Sequence, residues 1–476
     1  MKLIRWLLRR PWDRLQILTA AQTHLLRCSL GQRPLRASSR VRASHLHLWR
    51  SPSFVAYPTV SSVSLSSLIT ALAVMSLTPS DGAQIKVQNA TASSSEGSSE
   101  PLAAMDGDRF STNASRIWRG AADGKRWFWS VKFDHPRKIG SILQIQGDHD
   151  FVLRHVPRDY LWQTSVDGRN WVDLPETTVA EESRIYRIHR LKRAVSATYL
   201  RLSIGSATGG FPVLREVEFY DAIRERIPFP PWIIAVNTTE RPSLPSHGQE
   251  FIPLARSCPG WESLQAQQIW LGSFNPKFIQ IEPRPTAAFL SGNFKDWCEI
   301  SREPWRGTQE ILRRARLPMW ASCGGAQGLA ILAETGVDRA WDCPHCRDPK
   351  NPKLPIYGHI GHTGKRPCGD YSACVFERGP HQVRKVSGDP VFEGLSENFE
   401  VMESHCGQIE WPPAGWRLTA TAGSGNLTKV QCLRLRNRPI YAAQFHIEME
   451  GTPATSRKIM GNFLRIADEW NQSRGR

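Results

Sequence analysis

The sequence predicts an α/β fold: a mostly parallel sheet flanked by helices in the C-terminal half, preceded by an all-β antiparallel sandwich. Three observations carry this. Short apolar–polar alternations, separated by Gly, Asp and Pro turns, fill residues 85–222 without a helical period. From residue 232 onward, apolar runs alternate with helix-like stretches, as in strand–helix–strand units. Between them lies "RERIPFPPW", 224–232, whose prolines cannot continue a helix or a sheet interior. The predicted organisation is a leader at 1–84, a sandwich at 85–222, a linker at 223–231 and an α/β domain at 232–472.

The leader does not read as a folded domain. Residues 1–50 hold eleven Lys/Arg and one acid, the composition of a transit peptide. "SLSSLITALAVMSLTPSDGAQ" follows, and its apolar core, Leu68 to Leu77, falls short of the roughly 20 residues a spanning helix needs. No transmembrane span is predicted. The core suits a secretory signal with cleavage near Ala83, so an exported (periplasmic or extracellular) protein is expected. The alternative is a cytoplasmic protein with a disordered leader. Nine of the formal +17 charges belong to residues 1–84, and the body lacks an arginine-rich helix or aromatic–basic motif. Nucleic acid is therefore not an expected partner.

In the sandwich, "RWFWSVKF", "GSILQIQG", "YLWQTSVDG", "NWVDLP", "YLRLSIG" and "REVEFYD" read as strands, and "ASSSEGSSE", 92–100, as a polar linker. In the α/β part, "WIIAVNTT", "AQQIWLGSF", "PTAAFLSGN" and "LPMWASC" read as strands. "HGQEFIPLARSC", "TQEILRRAR" and "GAQGLAILAETG" read as helices.

Chemistry concentrates where "PMWASC" meets "GGAQGLAIL". Parallel sheets place their sites at the carboxyl ends of strands, and Cys323 stands at such an end. Gly324 and Gly325 permit a tight turn into the helix. There the helix dipole and exposed backbone N–H groups favour a thiolate and can hold an oxyanion. A packed strand-end cysteine would look the same. A nucleophilic cysteine needs a base. In "PIYAAQFHIEMEGTP", His446 ends an apolar strand and Glu448 lies two residues on, which alternation places on the same side.

Together these pieces resemble a class I glutamine amidotransferase. Cys323, Gly325 and Gln327 reproduce C-x-G-x-Q, and "QFHIE" resembles Q-F-H-P-E with Ile447 for proline. "SGN", 291–293, stands where that family has its S-G-G oxyanion loop. "ESHCGQIEWPPAGW", 403–416, resembles its Ser-His segment, and "GNFL", 461–464, the module's end. The resemblance implies a flavodoxin-like sheet and a Cys323–His446–Glu448 triad cleaving a glutamine or γ-glutamyl amide. It implies an oxyanion site at Gly292, Asn293 and Gly324, and substrate contacts from Gln327, Ser404 and His405. No cofactor is required for such hydrolysis. Ala321, where Gly is usual, Asn293, Ile447 and the missing Asp after Ser404-His405 depart from the pattern. The module would hand ammonia to a separate synthase or act as a free-standing amidase or γ-glutamyl hydrolase. The alternative is an amidotransferase fold that has lost catalysis and serves as a scaffold.

Nine of ten cysteines lie between 258 and 432. In "WDCPHCRDPKNPKLPIYGHIGHTGKRPCGDYSAC", Cys343, Cys346, Cys368 and Cys374 form C-x2-C and C-x5-C, with His345, His359 and His362 near. Structural zinc, disulfides after export, or separate thiols all satisfy this pattern. "YGHIG" also suits a strand near the site, so that His359 would line the pocket.

"ATASSSEGSSEPLAAMDGDRFSTNASRIWRG", with "WFWSVKFDHPRKIGSILQI", "QTSVDGRNW" and "LREVEFY", resembles the discoidin, or coagulation factor type C, jelly-roll domain. The resemblance implies a glycan or lipid-headgroup ligand held by loops at one end. Trp118, Trp162 and Phe211 are the candidate stacking aromatics, although Trp118 and Trp127 read as core. Calcium beside the D-G-D loop would take Asp106, Asp108 and Glu216 as ligands.

Overall fold

The computed structural model describes residues 83–475, apart from residues 98, 112, 150, 240–247, 340, 342–355, 362–368, 373 and 387. The leader expectations, up to the residue before Ala83, lie outside the described residues. No described helix is long and apolar enough to cross a membrane.

The first layer is antiparallel. It contains β1 (Gln84–Ile85), β2 (Asn89–Ala92), β3 (Trp118–Arg119), β4 (Trp127–Gln146), β5 (Pro157–Ser165), β6 (Val172–Asp173), β7 (Tyr186–Ala207) and β8 (Val213–Tyr220). "RWFWSVKF" and "GSILQIQG" belong to one strand, β4, rather than two. Register shifts between Lys132 and Arg137, and between Ile139 and Ser141, bend it along β7. Trp118, Trp129 and Trp162 are fully buried, and Trp162 meets Trp129 and Phe219 edge-on at 6.2 and 5.6 Å. Trp118 and Trp162 are therefore core, not sugar-stacking, residues. Phe211 is half-buried and stacks on His155 at 3.9 Å.

The polar stretch 92–100 is not a free linker. Ser95 Oγ accepts from Trp118 Nε1 at 3.1 Å, and Ser99 Oγ donates to Ile117 O at 2.9 Å. Its serines satisfy buried donors and acceptors of the sandwich.

The second layer is a nine-stranded mixed sheet. Five parallel strands run in the order β10 (Gln265–Trp270), β9 (Trp232–Asn237), β11 (Ala287–Leu290), β12 (Met319–Ser322) and β19 (Ile440–Ala443). Four antiparallel strands extend it: β18 (Cys432–Leu435), β17 (Trp416–Ala422), β14 (Glu377–Lys385) and β15 (Asn398–His405). Parallel pairing is thus confined to one half of the sheet. A small antiparallel pair, β13 (Tyr357–His359) and β16 (Gly407–Ile409), stands apart.

Strand β9 is buried along its whole length, and its residues alternate between two cores. Ile234 and Val236 face α3 (Arg306–Arg314) and α4 (Gly324–Glu334). Ile233 and Ala235 face α1 (Phe251–Arg256) and α5 (Ala454–Gln472). A strand covered on both faces reads as a continuous apolar run. The remaining helix, α2 (Pro276–Gln280), caps with Asn275 accepting from Phe278 N at 3.1 Å.

The sandwich joins the α3–α4 face through one continuous core. Leu143, Ile145, Val156, Ile185 and Tyr186 share a cluster with Trp232, Ile234 and Leu271. Ile227, in the predicted linker, is buried in the same cluster. Arg184 is fully buried and donates to Ile281 O and Pro283 O. Its guanidinium lies 5.0 Å from the Trp232 ring.

Candidate active site

Strand β12 delivers Ser322 and Cys323 to the carboxyl edge of the parallel sheet. Cys323 caps α4 with φ 48° and ψ −114°. A positive φ is costly for a residue with a Cβ, by roughly 1–2 kcal/mol. It is held by packing: α4 is buried from Gly324 through Leu332, and Cys323 N donates to Ala443 O at 2.8 Å. The turn directs a mostly buried side chain out of the sheet edge.

His446 comes from the bend after β19, three residues past the strand end. Its N–H donates to Met402 O at 2.9 Å, which fixes it beside β15. The pairing of His446 with Glu448 is made in that bend, not by strand alternation. His446 Nδ1 and Glu448 Oε1 lie 2.7 Å apart. Glu448 Oε2 accepts from Ser322 Oγ at 2.9 Å and from Ile447 N at 3.0 Å. A proline at 447, as in the motif it resembles, would lack that second donor.

Burial by itself would lower the pKa of His446. The charges of Glu448 and Cys323 outweigh it and hold the imidazole well above its usual value. Burial would raise Glu448, but His446 and the Ser322 hydroxyl hold its carboxyl below the usual range. The arrangement favours an imidazolium between a carboxylate and a sulfur.

The 291–293 loop closes the site. A Cβ at Gly292 would lie 3.3 Å from His446 Cε1 and 3.9 Å from Cys323 Sγ, so the loop touches both side chains. A Cβ at Gly324 would stand 2.5 Å from Asn293 N. The glycine is what lets the backbones of 293 and 324 converge at the turn that carries Cys323. Thr238 Oγ1 pins the loop by donating to Gly292 O at 2.6 Å. Asn293 Oδ1 accepts from Lys295 N at 2.7 Å, so the asparagine shapes the turn that a glycine would make in the resembling motif.

Other expected residues sit near but act through the frame. Gln327 is buried; its Nε2 donates to Gly407 O at 2.8 Å, and its Oε1 accepts from Trp297 Nε1 at 3.0 Å. His405 is held by Glu403 Oε2 and by Gly407 O, each at 2.9 Å. The exposed Ser404 turns its carbonyl to within 4.0 Å of Cys323 Sγ. The structure thus gathers Cys323, His446, Glu448, Gly292, Asn293, Gly324 and Ser404, while the side chains of Gln327 and His405 brace the wall. Gly407 stands where the resembling motif has Asp, and Tyr357 packs against it: a Cβ there would lie 2.5 Å from its hydroxyl. Ala321 is fully buried in the core shared with α4.

Sequence reasoning missed Ser322, Thr238 and Trp297. Ser322 adjoins the nucleophile position, but its direction toward Glu448 depends on a contact 126 residues away in sequence.

Of the metal expectations, Cys343, Cys346 and Cys368 lie outside the described residues, as do His345 and His362. Cys374 meets His359 and Cys406, a residue not expected there: their ligand atoms all lie within 4.8 Å of one another. Among the described residues, Asp106, Asp108 and Glu216 form no such cluster. Arg116 neutralises Asp106 at 2.6 Å and Asp108 at 2.8 Å. Burial and the neighbouring Glu218 push the Glu216 carboxyl up to about 9.

Residues 89–218 match the F5/8 type C domain family, and residues 273–466 match the glutamine amidotransferase class-I family. The chain is 36% identical over 84 residues to a glutamine-hydrolysing GMP synthase of Thermosipho melanesiensis, covering 18% of this chain and 16% of that protein. It thus spans less than a fifth of that relative's length. It is 28% identical over 131 residues to one subunit of the glutamine-hydrolysing GMP synthase of Archaeoglobus fulgidus, covering 26% of this chain and 66% of that one. A solved GMP synthase subunit from Thermoplasma acidophilum aligns with 52% of this chain and 100% of its own, at 19% identity and a TM-score of 0.38.

Proposed function

Since the chain carries an F5/8 type C domain followed by a class-I glutamine amidotransferase domain, we propose that it releases ammonia from a glutamine or γ-glutamyl side-chain amide. The observation that carries this reading is the Cys323 turn set against the hydrogen-bonded His446–Glu448 pair. The Cys323 thiolate attacks the amide carbon. The oxygen takes the negative charge and turns to the amides of Asn293 and Gly324. The His446 imidazolium protonates the leaving nitrogen, and ammonia departs from a thioester. His446 then takes a proton from water, the hydroxide displaces the sulfur, and the γ-carboxylate product leaves with the thiolate restored. Glu448 orients the ring and balances its charge throughout.

The ammonia goes to a separate synthase, a reading supported by the division of the Archaeoglobus fulgidus GMP synthase into subunits. The F5/8 type C domain docks the enzyme on a glycan-bearing surface. Two motif departures bear on the alternative of an inactive scaffold. Asn293 leaves its backbone amide beside Gly324, and Ile447 adds a donor to Glu448. Neither removes a reacting group, which favours the enzyme.

The test is ammonia and glutamate release from glutamine and γ-glutamyl amides by the full chain. The wild type should turn over and Cys323→Ala should not. A glutamine-analogue diazo-ketone should label Cys323. If wild type and Cys323→Ala are equally inert and Cys323 resists the label, the scaffold reading replaces this one. Retention of the full chain on a glycan array tests the docking role.

A further inference from the structure

Beside the nucleophile lies a second group of reactive side chains that the amide chemistry does not use. The small β13–β16 pair builds it. Register pairs His359 with Gly407, which brings Cys406 alongside. Ile360 N donates to Cys406 O at 2.9 Å, and Val375 N donates to Ile360 O at 3.0 Å. The second bond draws the chain back after the 362–368 segment and sets Cys374 against the pair. The result is two thiols and an imidazole whose ligand atoms all lie within 4.8 Å of one another. Cys406 and His359 are buried and Cys374 is half-buried.

We propose that His359, Cys374 and Cys406 bind one Zn²⁺ ion at the wall of the nucleophile pocket. The donor set is the first reason. Two sulfurs and one imidazole suit a soft-to-borderline divalent ion, and three protein ligands leave a fourth position for water or another donor. The surroundings are the second. The Asp296 carboxylate, 1% exposed, lies 3.5 Å from the His359 ring, and the Tyr357 hydroxyl lies 3.0 Å from it. A carboxylate and a hydroxyl fix the imidazole as the outer contacts of a ligating histidine do. Asp296 is itself locked, since its carboxylate accepts from Trp297 N at 2.9 Å and it forms a capping box with Glu299.

Chain economy is the third. The three ligands come from three separate segments: β13, the irregular stretch that leads into β14, and the turn between β15 and β16. A metal there would tie His359 and Cys374 to the turn that follows Ser404. Ser404 O lies 4.0 Å from Cys323 Sγ, so the clamp would set the shape of the pocket wall. Binding releases the two thiol protons to solvent, and no redox change is involved.

The test measures metal, not activity, so its outcome is independent of whether Cys323 is a nucleophile. The full chain is purified under reducing conditions, stripped with a chelator and titrated with Zn²⁺, with bound metal counted by mass spectrometry. Cys323→Ala should take up as much zinc as the wild type. Cys406→Ala and His359→Ala should each take up one equivalent less, and Asp296→Asn should bind about 10–100-fold more weakly. In the Co²⁺-loaded protein, a sulfur-to-cobalt charge-transfer band should weaken in Cys374→Ala and in Cys406→Ala. Cys258→Ala removes a buried thiol elsewhere and should change neither readout. Melting curves of the metal-free variants distinguish lost ligation from lost fold, and the half-exposed Cys374 offers the mildest substitution. Undiminished zinc uptake in both Cys406→Ala and His359→Ala would overturn the proposal. So would a wild type that takes up no zinc once reduction has been confirmed by thiol count, including one first isolated with a Cys374–Cys406 disulfide.

Discussion

Cys323, His446 and Glu448 form a chain in which each group shifts the next. Because the charges of Glu448 and Cys323 raise His446 above its usual value of 6.5, the stabilisation from its charge is full below that pH. It is lost as pH rises through the folded value. Glu448 has the opposite sign: its contribution is present above the usual 4.5 and disappears as pH falls through its lowered value. The pair therefore stabilises most between those two values. Replacing Glu448 by Gln should lower kcat by about 10²–10⁴-fold and move the alkaline limb of the rate profile to lower pH. A limb that stays in place would show that another group sets it. Ile447→Pro should act in the same direction but more weakly, since it removes only one of Glu448's donors. Glu216 behaves differently. Its carboxyl is pushed up to about 9 by burial and by Glu218, so the folded state binds the proton more tightly than the unfolded one. Stability should fall as pH rises from the usual 4.5 toward 9. Glu216→Gln should stabilise the protein at pH 8, by something of order 2 kcal/mol, and leave it unchanged at pH 4, as read from melting curves.

At the scale of elements, the site depends on close approaches that only glycine allows. A Cβ at Gly324 would meet Asn293 N at 2.5 Å. Gly324→Ala should push the 291–293 loop away and reduce kcat more than it raises KM, because the amides there serve the developing charge. A Cβ at Gly328, one turn on, would meet the Trp305 ring at 2.4 Å and the Trp297 ring at 2.9 Å. Those rings form a cluster with Trp341, with centroids 5.3–5.9 Å apart. Gly328→Ala should therefore cost about 1–3 kcal/mol by overpacking, with activity per folded molecule less affected than in Gly324→Ala. Equal losses of activity in both would mean that the loop approach is not special. The helix α4 was legible in "GAQGLAILAETG", and so was its strand. The pairing of His446 with Glu448 was also legible, though for the wrong reason: a bend brings them together, where strand alternation had been expected.

At the scale of the whole molecule, the sandwich and the α/β layer share one core instead of flanking a free linker. Tyr186 donates through its hydroxyl to Ala266 O at 3.1 Å, and Ile188 N donates to Glu282 O at 2.9 Å. Arg184 is the buried pin, and burial lowers its guanidinium to about 9. Its truncation leaves a cavity and takes the donor from Ile281 O, while Pro283 O keeps Trp232 Nε1 at 3.2 Å. Arg184→Ala should cost about 3–5 kcal/mol, whereas Arg184→Met, which keeps the volume, should cost less. Calorimetry should also show the two layers melting in one transition in the wild type. Two separate transitions there would mean that the shared core does not couple them.

The sequence by itself determined the two fold types, their order, the strand–cysteine–helix turn and the residues of the His446–Glu448 pair. These rest on local patterns: alternation, glycine placement and short spacings that survive without knowledge of the fold. It read Trp118 as core but could not place Trp162, which stayed a candidate ligand platform until the strands were paired. Nor could it join Ser322 to Glu448, dock Arg184 against Trp232, or bring Cys406 to Cys374 and His359. Each of those contacts links segments far apart in the chain. Only the tertiary structure, which trades conformational entropy for burial, decided which distant polar groups would share a site.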